Sequence, residues 1–185
     1  PNITAFDNNA LIDEDTKVLI DVLNNDSYLS FSPISITATD PLNGSVSIID
    51  GLIEYIPNQD FNGSDSFIYT IYQGNKNSSA EVTIAISPVN DAPVINTNNV
   101  VETPENQNFV IDLDVSDVDI GDILVTTMSG IDSSLFILNE SNELNFISPP
   151  DFESTNSFNI TISVTDGILV TSKDINIQVT NVNDI

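Results

Sequence analysis

Histidine, cysteine, tryptophan and arginine are all missing from this 185-residue sequence, and positive charge is confined to Lys17, Lys76 and Lys173. Without His or Cys there is no Ser-His-Asp or Cys-His nucleophile system, no ordinary zinc or iron site and no disulfide framework. Without Arg, and with so few Lys, nothing can neutralise a run of phosphates. Nucleic acid and anionic membrane are therefore excluded as partners, since both are held mainly through clustered positive charge. No apolar run approaches the roughly 18 residues of a membrane span. Cations, sugars, other proteins or ice remain as ligands.

What is present is acid and β-branched hydrophobe. There are 28 Asp and Glu against 3 Lys and Arg, a net charge of −25, while 40% of the residues are hydrophobic. That is enough to build a core, unlike a disordered chain of comparable charge. Self-repulsion of so many like charges opposes compactness, so counter-ions are expected to be part of the fold. The length suits one or two domains. The sequence begins at Pro1 without a signal-peptide pattern and reads as an excerpt of a longer array.

Self-comparison reveals a repeat. Asp60-Phe61-Asn62 and Ser66-Phe67 match Asp151-Phe152-Glu153 and Ser157-Phe158 at a spacing of 91 residues, as do Tyr55-Ile56 with Phe146-Ile147, Glu14 with Glu105, and Asp26 with Asp117. Towards the ends, Val82, Ile84, Ile86 and Val89-Asn90-Asp91 match Ile175, Ile177, Val179 and Val182-Asn183-Asp184 at 93, so the second copy carries two extra residues. Two homologous domains are expected, 1–92 and 93–185. Their junction, Pro88-Val89-Asn90-Asp91-Ala92-Pro93, is too short and too rich in proline to be a floppy linker, which implies an end-to-end arrangement.

Helical periodicity is absent. Period-2 alternation recurs at Phe67, Tyr69, Ile71; Val82, Ile84, Ile86; Phe109, Ile111, Leu113, Val115; Phe158, Ile160, Ile162, Val164; and Ile175, Ile177, Val179. Breaks at Asn43-Gly44, Asp50-Gly51, Asn62-Gly63, Pro149-Pro150 and Asp166-Gly167 separate these strands, with Asp50-Gly51 the clearest hairpin. About seven short strands per copy predict an all-β chain of two tandem Greek-key β-sandwiches.

The acids fall at equivalent strand ends in both copies. Glu14, Asp60 and Asp91 are expected at one pole of the first copy, with Glu105, Asp151 and Asp184 in the same places of the second. Asp117, Asp119 and Asp166 are expected at the opposite pole of the second copy. Hard oxygen donors around the junction, with no base nearby in sequence, suit calcium, which takes about 6 to 8 oxygens, better than magnesium.

At these residues the second copy resembles a cadherin repeat. Pro104-Glu105-Asn106 resembles the family's PEN motif and Asp117-Val118-Asp119 its DxD. Pro150-Asp151-Phe152-Glu153 resembles its DRE-type motif, Thr165-Asp166-Gly167 its later aspartate, and Asn181-Val182-Asn183-Asp184 its DxNDN linker. The first copy is similar to the bacterial cadherin-like repeats of large secreted adhesins. It carries Asp13-Glu14-Asp15-Thr16, Val22-Leu23-Asn24-Asn25-Asp26, Asp60-Phe61-Asn62-Gly63 and Pro88-Val89-Asn90-Asp91-Ala92-Pro93. The resemblance implies calcium between successive domains, held by Glu14, Asp60, Asn90, Asp91, Asp117, Asp119 and Asp166. It implies a half-site at the carboxyl end from Glu105, Asp151, Glu153, Asn183 and Asp184. Asn62 replaces the family's second loop acid and Pro88 its first linker aspartate, which weakens the first copy's contribution. Asp26 lacks a second acid at Tyr28, and Gln73 stands where Asp166 does, so that pole is expected to bind calcium poorly.

Other readings are weaker. Asn58-x-Asp60-x-Asn62-Gly63 imitates an EF-hand loop, but Tyr69 stands where the bidentate Glu belongs. Paired carboxylates alone can run a glycosidase, yet the acids are explained by repeated loop positions and there is no Trp or Arg to grip a sugar. The chain is therefore expected not to be an enzyme. Phe61, Phe67, Phe152 and Phe158 recur in register and read as core, whereas Tyr28, Phe31, Tyr72 and Phe136 are candidates for exposure. The resemblance implies a calcium-stiffened spacer or adhesive segment of a secreted or cell-surface bacterial protein. Its partners would be calcium, neighbouring repeats, and a homophilic or glycan ligand, the alternative being a carbohydrate-binding module.

Overall fold

The computed structural model describes residues 2–30 and 32–183; Pro1, Phe31 and Asp184 lie outside them. The chain divides into two compact units, Pro1–Val89 and Asn90–Ile185. Asn90 and Asp91 therefore belong with the second unit.

Among the described residues the first unit has seven strands: β1 (Asn8–Asp13), β2 (Val18–Ile20), β3 (Ser35–Ala38), β4 (Gly44–Ile49), β5 (Leu52–Pro57), β6 (Gly63–Gln73) and β7 (Lys76–Ser87). They form one sheet of order β1-β7-β6-β3 and another of order β2-β5-β4. Alternation along the two long strands puts Phe67, Tyr69, Ile71, Val82, Ile84 and Ile86 on one face, where they pack with Ile20, Ile53 and Tyr55 from the other sheet and with Val22 just after β2. The β4–β5 hairpin turns at Asp50 (φ 50°) and Gly51 (φ 85°), the two positive φ angles of a type I′ turn.

The second unit repeats this plan. Its strands are β8 (Val94–Ile95), β9 (Val100–Pro104), β10 (Phe109–Asp112), β11 (Val115–Ser116), β12 (Val125–Ser129), β13 (Phe136–Leu138), β14 (Glu143–Phe146), β15 (Ser157–Thr165) and β16 (Val170–Thr180). The sheets β9-β16-β15-β12 and β10-β14-β13 correspond to the two of the first unit, and β8 and β11 add a two-stranded ribbon. A 3-10 turn, Ser133–Leu135, precedes β13. Rings of Phe136, Phe146 and Phe158 meet in the core, tilted or edge-on, at centroid distances of 4.4 to 5.9 Å.

Within the expected sandwiches β1 runs parallel to β7 and β9 parallel to β16. Three expectations are corrected. The match of Ser66-Phe67 with Ser157-Phe158 is out of register: Phe67 faces Val82 whereas Phe158 faces Ile177, so Ile160, opposite Ile175, holds the place of Phe67. The two extra residues of the second copy thus precede β15, and a shift of two keeps every side chain on its face. The alternation from Phe109 to Val115 breaks at an irregularity between Phe109 and Ile111, which turns Val110 inward and leaves Phe109 exposed. Phe136 is buried in the core, 4% exposed, rather than displayed, while Tyr28 and Tyr72 are exposed.

Candidate metal centre

Three sets of acids can be followed from the backbone outward, each within one unit. In the first unit β1 ends at Asp13, and the tight turn that follows, with Asp15 at φ 58°, places Glu14 beside the last residues of β7. Its amide donates to Ser87 O at 2.9 Å, and its side chain is 3% exposed. Glu14 Oε1 accepts from Val89 N at 2.6 Å and Oε2 from Asn62 Nδ2 at 3.1 Å. Asp15 Oδ1 accepts from Asp60 N at 3.0 Å, which ties the two acid loops together.

The second unit wires Glu105 the same way. Its amide donates to Thr180 O at 3.1 Å, Oε1 accepts from Val182 N at 2.7 Å and Oε2 from Phe152 N at 3.0 Å, with the residue 4% exposed. Backbone N–H groups thus supply both hydrogen bonds of this buried carboxylate, with no basic side chain among its partners. Asp151 Oδ1 accepts from Glu153 N, and Glu153 Oε1 from Asn181 Nδ2. One carboxylate oxygen from each of Glu105, Asp151 and Glu153 lies within 4.8 Å of the others. Asn183 is exposed, and Asp184 is outside the described residues.

At the other end of the second unit, Asn90 Nδ2 donates to Asp166 Oδ2 at 2.9 Å and to Asp91 O at 2.8 Å. Asp91 N donates to Asp119 Oδ2 at 2.7 Å, and Asp119 N to Asp117 Oδ1 at 3.1 Å. Asp166 Oδ1 caps its own turn through Ile168 N and Leu169 N. The Asn90 amide, followed by the Ile168 N–H, holds the Asp166 carboxyl below the usual carboxylate range. Asp122 is the residue that sequence reasoning missed. Its carboxylate meets those of Asp117 and Asp119 within 4.8 Å, after a turn at Gly121 (φ 104°). Lost hydration, then the charges of Asp119, Asp117 and Asp166, push its carboxyl upward. A third acid three residues beyond the Asp-x-Asp pair, just after a glycine, was the available signal.

The two sets of the second unit fit a hard divalent cation. Asp117 Oδ2 is buried with no hydrogen-bond partner, in a group of three converging carboxylates. A buried carboxylate oxygen without a donor is costly, and a cation removes that cost. Of the lysines, Lys17 is paired with Glu54 at 2.6 Å and Lys173 Nζ reaches Ile95 O and Thr97 O. The first unit's other pole is built differently. Asp26 Oδ1 accepts from Phe6 N and the Tyr69 hydroxyl, both at 2.8 Å, although Asp26 Oδ2 is also without a partner. Gln73, standing where Asp166 does in the other copy, is buried and clamps Leu29 and Ser32 through Leu29 N, Leu29 O and Ser32 O. Burial, then Asp26, pushes the Tyr69 hydroxyl far up, so it stays a donor.

Comparisons with known proteins agree with this architecture. A sequence profile described as a bacterial Ig domain matches over residues 1–86 and again over 90–180. The fat-like cadherin-related tumor suppressor homolog of Drosophila melanogaster is 32% identical over 120 residues, covering 59% of this chain and 3% of that protein. Among solved structures, mouse cadherin-23 EC22-24 aligns with 95% of this chain and 63% of its own at TM-score 0.56 and 22% identity. Human mucin-like protocadherin EC1-2 aligns with 96% of this chain and 98% of its own at TM-score 0.54 and 17% identity. The chain spans 52% of a protocadherin gamma B7 fragment of four cadherin domains. The structural likenesses establish a cadherin-like fold, and the profile covers both repeats: the chain belongs to the bacterial Ig domain family, as tandem repeats of cadherin-like form.

Proposed function

We propose that this chain is a calcium-binding pair of repeats from a secreted or surface-exposed bacterial protein, acting as a spacer or adhesive segment and not as an enzyme. The observation that carries the reading is the convergence of Asp117, Asp119 and Asp122 around a buried, unpartnered Asp117 oxygen. Asp117, Asp119, Asp122 and Asp166, with the Asn90 side chain and the Asp91 carboxylate, offer the irregular all-oxygen set that calcium accepts and magnesium, which demands a near-ideal octahedron, does not. Glu105, Asp151 and Glu153 form a second set, with Asn183 and Asp184 proposed to join it. Glu14 and Asp60 are the first unit's contribution. In this reading calcium shared by consecutive repeats stiffens the array, a proposal that rests on the repeated motifs and the cadherin resemblance. The domains proposed for it are 1–92 and 93–185. The cadherin relatives, and the absence among the described residues of any helix long and apolar enough to cross a membrane, are compatible with an extracellular setting.

Calorimetric titration of the chelator-treated protein tests it. Saturable calcium binding that survives excess magnesium and is cut sharply by Asp119→Ala is the expected result. No heat at millimolar calcium would overturn the reading; glycan-array binding that persists in chelator would put a carbohydrate-binding module in its place.

A further inference from the structure

Strand β5, the middle of its sheet, is rich in aliphatics on both faces. Ile53 and Tyr55 point into the core, and alternation turns Leu52, Glu54 and Ile56 the other way. Across the sheet Glu54 is flanked by Leu19 of β2 and Ser47 of β4, and Ile49 stands opposite Leu52. Leu19, Ile49 and Ile56 are 51%, 40% and 43% exposed. The outer face of an antiparallel sheet is ordinarily polar, and a near-continuous apolar run belongs to a strand covered on both sides. The second unit keeps to that rule: 91 residues on, β14 carries Glu143 and Asn145 at the places of Leu52 and Glu54.

We infer that this outer face of β2, β5 and β4 binds the same face of a second copy of the chain. Charge selects the occupant. Each copy carries −25, so two copies can approach only where uncompensated acid is scarce. The acid at the centre of this face, Glu54, is buried and paired with Lys17 Nζ at 2.6 Å. Opposite charges also stand at the two ends of β2. Lys17, largely exposed, comes just before the strand and Asp21, exposed, just after it, about 13 Å apart along the chain direction.

Such a face is self-complementary. A two-fold axis lying across the strands at Leu19 lays β2 of one copy antiparallel over β2 of the other. Lys17 of each copy then faces Asp21 of the other, and Leu19, Ile49, Leu52 and Ile56 of both copies fill the space between sheets about 10 Å apart. Three short strands offer a small contact, at the low end of specific interfaces and below about 1,200 Å² in total, so the association is weak and reversible. This names a partner for the adhesive half of the function proposed above and rests on that reading only for its use. The face includes none of the proposed calcium ligands.

Sedimentation of the intact chain over a concentration series up to about 1 mM tests it, in chelator and in calcium, at low and high sodium chloride. The expected result is a monomer–dimer equilibrium that persists in chelator and is strengthened by salt, which screens the repulsion between copies. Leu19→Ser combined with Ile56→Ser should abolish the dimer while circular dichroism shows the chain still folded, since both side chains are half exposed. Asp21→Lys sets lysine against lysine at both ends of the contact and should weaken the dimer about tenfold. Glu140→Lys, the same change of charge on an exposed turn of the second unit, should leave it equal or tighter. If acidity alone governed association, both lysine variants would tighten it. A chain that stays monomeric in high salt overturns the inference and leaves a glycan or a different protein as the occupant of this face. A dimer untouched by the serine variant, or tightened by Asp21→Lys as much as by Glu140→Lys, overturns it as well. So does a dimer that forms only in calcium and is lost in Asp119→Ala, because association then runs through the carboxylate sets. Dimers of a chain that binds no calcium leave the face standing and remove the calcium reading; calcium binding by a strict monomer does the reverse.

Discussion

Glu105 and Glu153 belong to one carboxylate set but are held in opposite ways. Both oxygens of the buried Glu105 accept backbone N–H groups, from Val182 and Phe152. Glu153 is exposed and accepts from a side-chain amide, Asn181 Nδ2. In chelator, neutralising either acid relieves repulsion within the set. At Glu105, however, glutamine points an N–H at a backbone N–H and leaves that donor unsatisfied, a cost of about 1–3 kcal/mol that outweighs screened repulsion near the surface. Glu105→Gln is therefore expected to lower the stability of the chelated protein by about that amount, whereas Glu153→Gln leaves it within roughly 0.5 kcal/mol or raises it slightly. Urea unfolding in chelator separates the two; equal effects would mean that the backbone bonds to Glu105 do not stabilise the charge. Both substitutions are expected to weaken calcium binding.

Among the elements, β4 shows how much a short strand depends on one residue. Gly44 opens it directly over the ring of Tyr55, and a Cβ there would lie 2.6 Å from Ile56 O and 2.7 Å from Tyr55 Cε2. Tyr55 is fully buried and its hydroxyl donates to Asp65 Oδ2 at 2.8 Å, so the ring cannot swing aside without breaking a buried bond. Gly44→Ala is expected to cost about 1–3 kcal/mol through overpacking, measured by urea unfolding; an unchanged midpoint would show that β4 can shift outward at no cost. The sequence pattern Asn43-Gly44 suggested a turn, and only packing against Tyr55 reveals the second reason for glycine. The long strands were readable because both faces of β6, β7, β15 and β16 keep their period over nine or more residues. Strand β1 was not, since Asn8–Asp13 carries Leu11 outward, 74% exposed, and turns only half-buried residues inward. The register of β15 misled because a slip of two residues preserves the inside–outside pattern, so two Ser-Phe pairs looked equivalent. The repeated acids were legible from their offset. Asp122 and the Gln73 clamp were not, because Asp122 has no acid at the equivalent place of the first copy, and a glutamine in the place of Asp166 does not reveal what its amide holds.

For the whole chain, a net charge of −25 on 185 residues makes two kinds of ion effect superimpose. Any salt screens the repulsion, with a Debye length of about 8–10 Å at physiological strength, and so stabilises the fold without occupying a site. Calcium does that too, but a specific site adds mass-action linkage: at about a hundred times its dissociation constant a ligand contributes roughly 2.7 kcal/mol. For units of this size that corresponds to a rise in melting temperature of about 10–20 °C. Thermal melts in sodium chloride and in calcium chloride at matched ionic strength separate the contributions. The expected outcome is a sodium curve that rises and levels off as screening completes, and a calcium curve that climbs above it by the linkage amount and keeps rising with the logarithm of concentration. Asp119→Ala should remove much of the gap while leaving the sodium curve in place, because screening depends on the total charge and linkage on particular oxygens. Coincident curves would show that the acidity adapts the chain to its ionic surroundings without binding calcium at all.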